Sequence, residues 1–346
     1  MAGRDLQAQE RDDYQRLLAE AGVTVLGIPT PFPVGRVNVY LLAGDPPALL
    51  DCGPNSARSL LALERGLNEA GVGIEEIGYL LLTHQHVDHL GLAEAVVERS
   101  GAKVVASHPL AAYLRQSQTA TPAEQEFAER LMAAHGVPRE VIAALRGSAG
   151  AVRAWGSVVG VEIELGEGEV VDLGSRHFEL YERPGHSPSD TLFFDRDRGL
   201  LFGGDHLLAE ISSNPVITPP ADPTAERPRP LPTYLRSLRK TAAMEGVGLV
   251  LPGHGEPIPN PRALIESRLR FHAKRARKLL GLLEEPLTAH DLARRMWGEV
   301  ALSQAYLTLS EVLGHLDLLE EEGLVEPIEE AGLIRYRALA DSSSSR

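Results

Sequence analysis

Four side chains able to bind a metal ion occur within six consecutive residues of this chain. They are His84, His86, Asp88 and His89. Imidazole nitrogens and carboxylate oxygens are the ligands that zinc and similar divalent ions accept in proteins. His and Asp are poor core residues, so packing does not explain such a density on one segment. The segment therefore predicts a metal site.

Three later residues, His186, Asp205 and His254, each follow a glycine. Glycine lets the backbone turn sharply and approach a bound ion closely. Residues 77–82, directly before the first cluster, form a continuous apolar run typical of a buried strand. Side chains that follow strands lie on loops at a sheet edge, where α/β folds build their sites. Four such loops can converge on one point, so we expect these residues to join the first cluster.

The order of these motifs resembles the metallo-β-lactamase superfamily. The pattern Thr-His-x-His-x-Asp-His is followed by Gly-His, Gly-Asp and Gly-His, within a stretch from Asp51 to His254. The resemblance implies two metal positions that share one bridging carboxylate. The implied ligands are His84, His86 and His186 for the first position, Asp88, His89 and His254 for the second, and Asp205 for both. Asp51 sits where the family has an acid that braces the histidine loop.

The same resemblance implies a hydrolase that uses a hydroxide bridging two Zn²⁺ ions. Such a hydroxide is available near neutral pH because the ions lower the pKa of water from 15.7 to about 7. Iron or manganese fits the same ligands. We expect Asp88 and His254 to be catalytic residues, with Asp88 placed to accept a proton or to orient the nucleophile. No serine or cysteine nucleophile is required.

The elements around the motifs predict an α/β protein. Strand and helix patterns alternate in the first half, which implies helices packed on a sheet, and the resemblance implies a four-layer αββα metallo-β-lactamase sandwich. We predict a catalytic domain over residues 1–261 and a winged-helix-like domain over residues 262–340. Residues 109–157, rich in Ala, Glu and Arg, are expected to be a helical insertion that forms a lid. Residues 341–346 are expected to be a disordered tail.

The charges of the C-terminal helices bear on nucleic-acid binding. The candidate recognition helix, within residues 310–322, carries acids and no Lys or Arg. A helix that enters the major groove meets dense phosphate charge, so DNA is disfavoured as a partner. The helix over residues 262–283 carries seven basic residues in its first 17 positions. It is either a solvated connecting helix or a track for RNA phosphates or an anionic substrate.

The composition is that of a soluble protein. The chain has 346 residues, a formal net charge of −14 and a single cysteine, Cys52, which cannot form an internal disulfide. The sequence shows neither a signal peptide nor an apolar run long enough to cross a membrane. These features predict a cytoplasmic protein that has no membrane partner, and a homodimer is left open.

Three functions follow from the sequence. The first is hydrolysis of a small thioester or ester, since the catalytic domain also resembles hydroxyacylglutathione hydrolases (glyoxalase II). The second is an endoribonuclease or phosphodiesterase acting on single-stranded RNA. A metallo-β-lactamase domain followed by a winged helix is similar to the subfamily that includes the β-lactamase-like protein 2 endoribonucleases. The third, disfavoured by the acidic helix, is a winged-helix DNA-binding regulator.

Several single residues have two interpretations. Asn38 sits where relatives carry an asparagine before a strand, and either faces the site or stabilises a turn. Tyr234 follows a proline-rich loop, where it either reaches the substrate or packs at the start of a helix. His206 lies beside Asp205 and is interpreted as an ordinary loop residue. Cys52 is interpreted as a small buried residue.

Overall fold

The structure is a computed structural model that describes residues 14–117, 122–220, 222 and 224–339 of the chain, without the side chains of residues 117, 122–123 and 148–153. The predicted tail at residues 341–346 lies outside the described residues. None of the described helices is long and apolar enough to cross a membrane.

The first sheet has six strands in sequential order. They are β1 (Val23–Ile28), β2 (Val37–Leu42), β3 (Ala48–Leu50), β4 (Tyr79–Leu81), β5 (Lys103–Ser107) and β6 (Ile163–Leu165). Strands β3 to β6 run parallel to one another. Their carboxyl ends therefore meet at one edge, and the loops after β3 and β4 begin there.

The second sheet has five strands in the order β11-β10-β9-β8-β7. They are β7 (Val170–Asp172), β8 (His177–Glu182), β9 (Thr191–Asp195), β10 (Leu200–Gly204) and β11 (Leu249–Pro252). Aromatic rings fill the space between the two sheets: the Phe202 ring lies 5.2 Å from that of Tyr40 and 5.7 Å from that of Phe178, both edge-on. Such edge-on ring pairs favour one relative orientation of the two sheets.

Helices cover the outer faces of both sheets. Leu63 of α2 (Ala57–Glu69), Val96 of α4 (Ala93–Ser100) and Leu110 of α5 (His108–Ser117) belong to the core on the first sheet. Leu235 of α8 (Pro230–Ala242) and Ile265 of α9 (Pro261–Leu280) belong to the core on the second. The first 90 residues also contain helices α1 (residues 14–20) and α3 (Val87–Leu90) and a 3₁₀ turn (Ile74–Glu76). The expected αββα sandwich is confirmed.

The C-terminal module comprises α9 to α12 and a three-stranded sheet of order β12-β14-β13. Its further elements are β12 (Leu287–Thr288), α10 (Ala289–Trp297), α11 (Val300–Ser303), α12 (Ala305–Glu321), β13 (Val325–Glu330) and β14 (Leu333–Ala338). Helix α12 lies at its centre, with most of its residues buried. Since α9 begins in the helical layer of the second sheet, one helix spans the predicted boundary at residues 261–262, and the domain limits stay a prediction.

The helical insertion is divided between two cores. Its first helix, α5, packs on the first sheet. Helices α6 (Pro122–Ala134) and α7 (Arg139–Arg153) contribute Leu131, Met132 and Ile142 to the core of the C-terminal module. The second part of the insertion that is expected to form a lid, α6 and α7, therefore packs against the C-terminal module.

One expectation from the sequence differs from the structure. The proline-rich segment before Tyr234 is expected to be a loop, yet α8 begins at Pro230. Proline is tolerated in the first helical turn because its missing N–H has no partner there. In the C-terminal module, α10 begins at Ala289, because Leu287 and Thr288 pair with β14 and the Thr288 side chain caps the helix.

One buried arginine, Arg176, connects the two sheets. Nη1 of Arg176 lies 3.1 Å from Oδ2 of Asp195, and both side chains are buried. Nε of Arg176 donates to the carbonyl of Ala43 (3.2 Å), and Nη2 donates to the carbonyls of Ala21 and Gly22. One guanidinium thus ties the end of the second sheet to the ends of β1 and β2.

Replacing Arg176 with Met is expected to destabilise the protein by about 3 kcal/mol, because the buried Asp195 carboxylate keeps only Arg198 as a cationic partner and two backbone carbonyls lose this donor. Urea denaturation followed by circular dichroism measures the change. Arg196→Met is the matched control, since its ion pair with Glu179 is exposed and should change stability only slightly. Equal effects of the two substitutions would contradict the assignment.

Candidate metal centre

All seven predicted ligands lie at the shared edge of the two sheets. His84, His86, Asp88 and His89 follow β4, and the last two belong to α3. His186, Asp205 and His254 come on the loops after β8, β10 and β11. All are buried except His86, which is half-buried. The structure thus brings together every residue that the sequence singled out as a ligand.

Two glycines allow this convergence. A Cβ on Gly253 would lie 2.4 Å from Oδ1 of Asp205 and 2.6 Å from Cε1 of His89. Gly204 has a φ of 47°, and its Cβ would lie 2.9 Å from Thr83. Any larger residue at either position would push the ligand loops apart, so the Gly-His and Gly-Asp pairs are steric requirements of the centre.

The first group of ligands consists of three imidazoles that face one point. Nδ1 of His86 lies 3.0 Å from Nε2 of His84 and 2.9 Å from Nε2 of His186. Burial lowers the pKa of His86 to about 3 and that of His84 well below its usual value. These two rings are therefore neutral at pH 7, as ligation requires. The three nitrogens form a tripod suited to one ion.

The second group combines one carboxylate and two imidazoles. Nε2 of His254 lies 3.3 Å from Oδ2 of Asp88, and the ligand atoms of Asp88, His89 and His254 cluster within 4.8 Å. Burial acts to raise the pKa of Asp88, but the neighbouring imidazoles of His254 and His89 lower it overall. The carboxylate is therefore ionised.

Asp205 lies between the two groups. Its Oδ1 is 3.4 Å from Nε2 of His89, and its Oδ2 is 3.5 Å from Nε2 of His254 and 3.7 Å from Nε2 of His186. Burial opposes its ionisation, yet attraction by His89 and His254 holds its pKa well below the usual range. One carboxylate thus directs an oxygen to both groups.

Each ligand imidazole except His86 has a partner behind it that fixes its tautomer. Nδ1 of His89 donates to Oδ2 of Asp51 (2.7 Å). Nδ1 of His254 donates to the Arg36 carbonyl (2.7 Å) and Nδ1 of His186 to the Asn214 carbonyl (3.1 Å). Such bonds leave Nε2 with its lone pair toward the centre.

Asp51 also holds the loop itself. Its carboxylate accepts from the backbone N–H of Thr83 (2.9 Å) and from the Thr83 hydroxyl (2.8 Å). The hydroxyl in turn lies 3.0 Å from Nδ1 of His84. Asp51 has a φ of 59°, in a region unfavourable for most side chains. The backbone is therefore bent so that this acid reaches both ends of the cluster.

A metal ion fits the buried donor atoms of the centre that have no hydrogen-bond partner. Nε2 of His89, Nε2 of His254 and Oδ1 of Asp205 are buried and have no hydrogen-bond partner in the described part of the chain. Each buried polar atom without a partner costs about 1–3 kcal/mol. The pKa values of His89 and His254 are raised, because attraction by Asp205 outweighs burial. A bound cation would replace those protons and satisfy all three atoms.

Sequence reasoning missed the residues that act through backbone carbonyls. Arg36 and Asn214 orient ligands by their carbonyl oxygens, which no residue type signals. Asn38 proves to be a loop brace: its Nδ2 donates to the carbonyls of Pro252 (3.0 Å) and Gly255 (2.9 Å), on both sides of His254. Its place before a strand was the one available signal.

Two other candidates stay outside the centre. The Tyr234 hydroxyl donates to the carbonyl of His206 (2.9 Å), and the tyrosine is buried. Burial lowers the pKa of His206 to about 3, and its Nε2 lies 2.9 Å from the Thr241 hydroxyl. Both residues therefore fix α8 rather than contact a substrate.

Replacing Asp51 with Ala is expected to lower zinc affinity about 10–100-fold, because His89 and Thr83 lose the group that orients them. Competition with a chromophoric chelator measures the affinity. Asn55→Ala is the control on the same loop, since Asn55 is exposed and bonds only toward residues 155–156. Unchanged affinity in the Asp51 variant would contradict the role given to this acid.

Comparison with known proteins agrees with this geometry. Residues 32–254 match the family model described as the metallo-beta-lactamase superfamily. The chain is 33% identical over 318 residues to the probable metallo-hydrolase YqjP of Bacillus subtilis (strain 168), covering 92% of this chain and 98% of that protein. It is 23% identical over 314 residues to the beta-lactamase-like protein 2 homolog of Caenorhabditis elegans, covering 89% and 87% of the two chains.

A solved structure agrees over nearly the same length. The metallo-beta-lactamase family protein TTHA1429 of Thermus thermophilus superposes with a TM-score of 0.78 at 29% identity, covering 92% of this chain and 99% of that one. The region matched by the family model contains every ligand described above. The chain therefore belongs to the metallo-β-lactamase superfamily, as one of its metallo-hydrolases.

Proposed function

We propose that the chain is a dinuclear zinc hydrolase acting on a small thioester or ester. The observation that supports this most is the position of Asp205, whose carboxylate lies between the two ligand groups: Oδ2 is near both His186 and His254, and Oδ1 is near His89. Divalent ions in such a site lower the pKa of water from 15.7 to about 7 and polarise a substrate carbonyl.

In this proposal, the residues of the chain place and protonate the reacting groups. Asp88 is ionised, and its Oδ2 lies next to Nε2 of His254, at the centre of the second group. It can accept a proton from the attacking water and return it to the departing thiolate or alkoxide. His254 is fixed by the Arg36 carbonyl, and its Nε2 lies 3.3 Å from Oδ2 of Asp88, so that the two residues would hold one ion together.

The charges of α9 favour a small substrate over RNA. Several of its arginines have partners within the protein. Nη1 of Arg275 pairs with Glu311, Arg277 with Glu322 at 2.8 Å, and Arg268 donates to the carbonyls of Leu208 and Ala209. A phosphate track requires cations that are free to exchange counterions for phosphates. Part of the basic face predicted from the sequence is thus engaged in holding α9 in place.

Helix α12 is likewise engaged inside the protein. Glu311 and Asp317 are buried and pair with Arg275 and Arg227. We propose that α10 to α12 and strands β12 to β14 form a winged helix, whose recognition helix packs internally. A helix buried on most sides cannot enter a DNA groove, so the DNA-binding regulator is the least supported of the three functions.

A side-by-side assay tests the proposal. Zinc-loaded protein is given acyl-thioesters, esters and lactones, and separately a labelled single-stranded RNA. We expect turnover of one of the small substrates, and a loss of about 10²–10⁴-fold in the Asp88→Ala variant, because the proton acceptor is removed. Arg270→Ala, which removes an exposed cation of α9, should leave this turnover unchanged.

Cleavage of the RNA would contradict the proposal if Asp88→Ala abolished it and no small substrate were consumed. A reduced RNA rate in Arg270→Ala would then assign α9 to the substrate path. That outcome would favour the activity class associated with β-lactamase-like protein 2, to which the chain is similar over most of its length.

A further inference from the structure

Three consecutive residues connect the metal centre to the C-terminal module. Ser212, Ser213 and Asn214 lie on the loop between Asp205 and α8. We call them the strap. Each of them makes a hydrogen bond to a ligand residue or to the C-terminal module, and Asn214 makes both kinds.

On one side, the strap holds two metal ligands. The Ser213 hydroxyl donates to the carbonyl of Asp205, and the carbonyl of Asn214 accepts from Nδ1 of His186 at 3.1 Å. The backbone N–H of Val216, two residues on, donates to the carbonyl of His186 at 3.4 Å. The backbone of Asp205 and the imidazole of His186 are thus both held from this segment.

On the other side, the strap is held by α9 and α12. The Ser212 hydroxyl lies 2.9 Å from Nε2 of His272 on α9. Nδ2 of Asn214 donates to the carbonyl of Leu307 on α12 at 3.2 Å. Just beyond the strap, the Tyr306 hydroxyl donates to the carbonyl of Ile217 at 2.5 Å. Both helices belong to the C-terminal module, so the module contacts the loop at residues 212–217, close to the metal centre.

The anchor on α9 and α12 is a closed network. Nδ1 of His272 lies 3.2 Å from Nε2 of His315, and Nδ1 of His315 donates to the Glu311 carbonyl at 2.7 Å. Burial lowers the pKa of His272 to about 3, so the ring is neutral. These two imidazoles and the Glu311 carboxylate have the spacing of a metal group. However, all four ring nitrogens already have partners, unlike Nε2 of His89 and of His254 in the metal centre, and this cluster acts as a rigid support.

We propose that the C-terminal module is a structural part of the metal centre, acting through the strap. Ser212 and Asn214 are positioning residues for the ion held by His84, His86 and His186. The inference rests on the proposed dinuclear site. It gives a reason for the ion pair of Arg275 with Glu311 between α9 and α12: the pair fixes the two helices that hold the loop.

The test uses the full-length chain and two variants. Ser212→Ala with Asn214→Ala removes both bonds to the module and keeps the Asn214 carbonyl. Arg229→Ala is the control, because it removes a half-exposed tie between the same loop and the same helix, to Glu320, that does not involve the strap. Zinc affinities come from chelator competition, and site occupancies from anomalous diffraction at limiting zinc.

We expect the double variant to lose about 10–100-fold in affinity at the first position only, with the second position and the melting temperature of the metal-free protein unchanged. Arg229→Ala should bind zinc as the unaltered chain does. Equal zinc binding in all three proteins overturns the inference, as does an equal loss in the control. Failure of the unaltered chain to bind two ions would instead overturn the proposed function.

Discussion

The burial of three carboxylates beside five imidazoles is the constraint on which the rest of this structure depends. Asp51, Asp88 and Asp205 are almost fully removed from solvent, and a buried charge is tolerated only with a partner. His89 and His254 supply part of that partnership, yet several of the inward atoms stay without one. The proposed pair of divalent cations would resolve both the charge and the missing contacts. The buried acids and imidazoles are therefore the chemical basis for proposing a cationic group at this centre.

The surrounding fold can be understood as support for that arrangement. The parallel edge of the first sheet brings Asp51 and the histidine cluster together, and the second sheet contributes the other three ligands. Arg176 fixes the relative position of the two sheets, and Gly204 and Gly253 allow the loops that carry the predicted ligands to come into contact. The C-terminal module also supports the centre, because the strap makes hydrogen bonds both to the predicted ligands and to helices of the module.

Sequence reasoning singled out the seven residues that the structure brings together, because their residue types are rare on loops and their order is specific. It could not find Arg36 or Asn214, since a carbonyl oxygen is common to all residues. It used the acids of α12 as evidence against DNA binding, without finding that Glu311 and Asp317 form ion pairs inside the protein. Charge on a sequence does not show which partner lies across a tertiary contact. The start of α8 at Pro230 was missed because proline in a proline-rich segment usually indicates a loop.

The most direct test of the central claim is the anomalous diffraction of crystals grown with excess zinc. The account predicts two peaks at the sheet edge, each about 2.0–2.2 Å from its ligand atoms, with one oxygen of Asp205 next to each. A single peak, or two peaks of which one lies away from Asp205, would contradict a bridging carboxylate and with it the dinuclear centre.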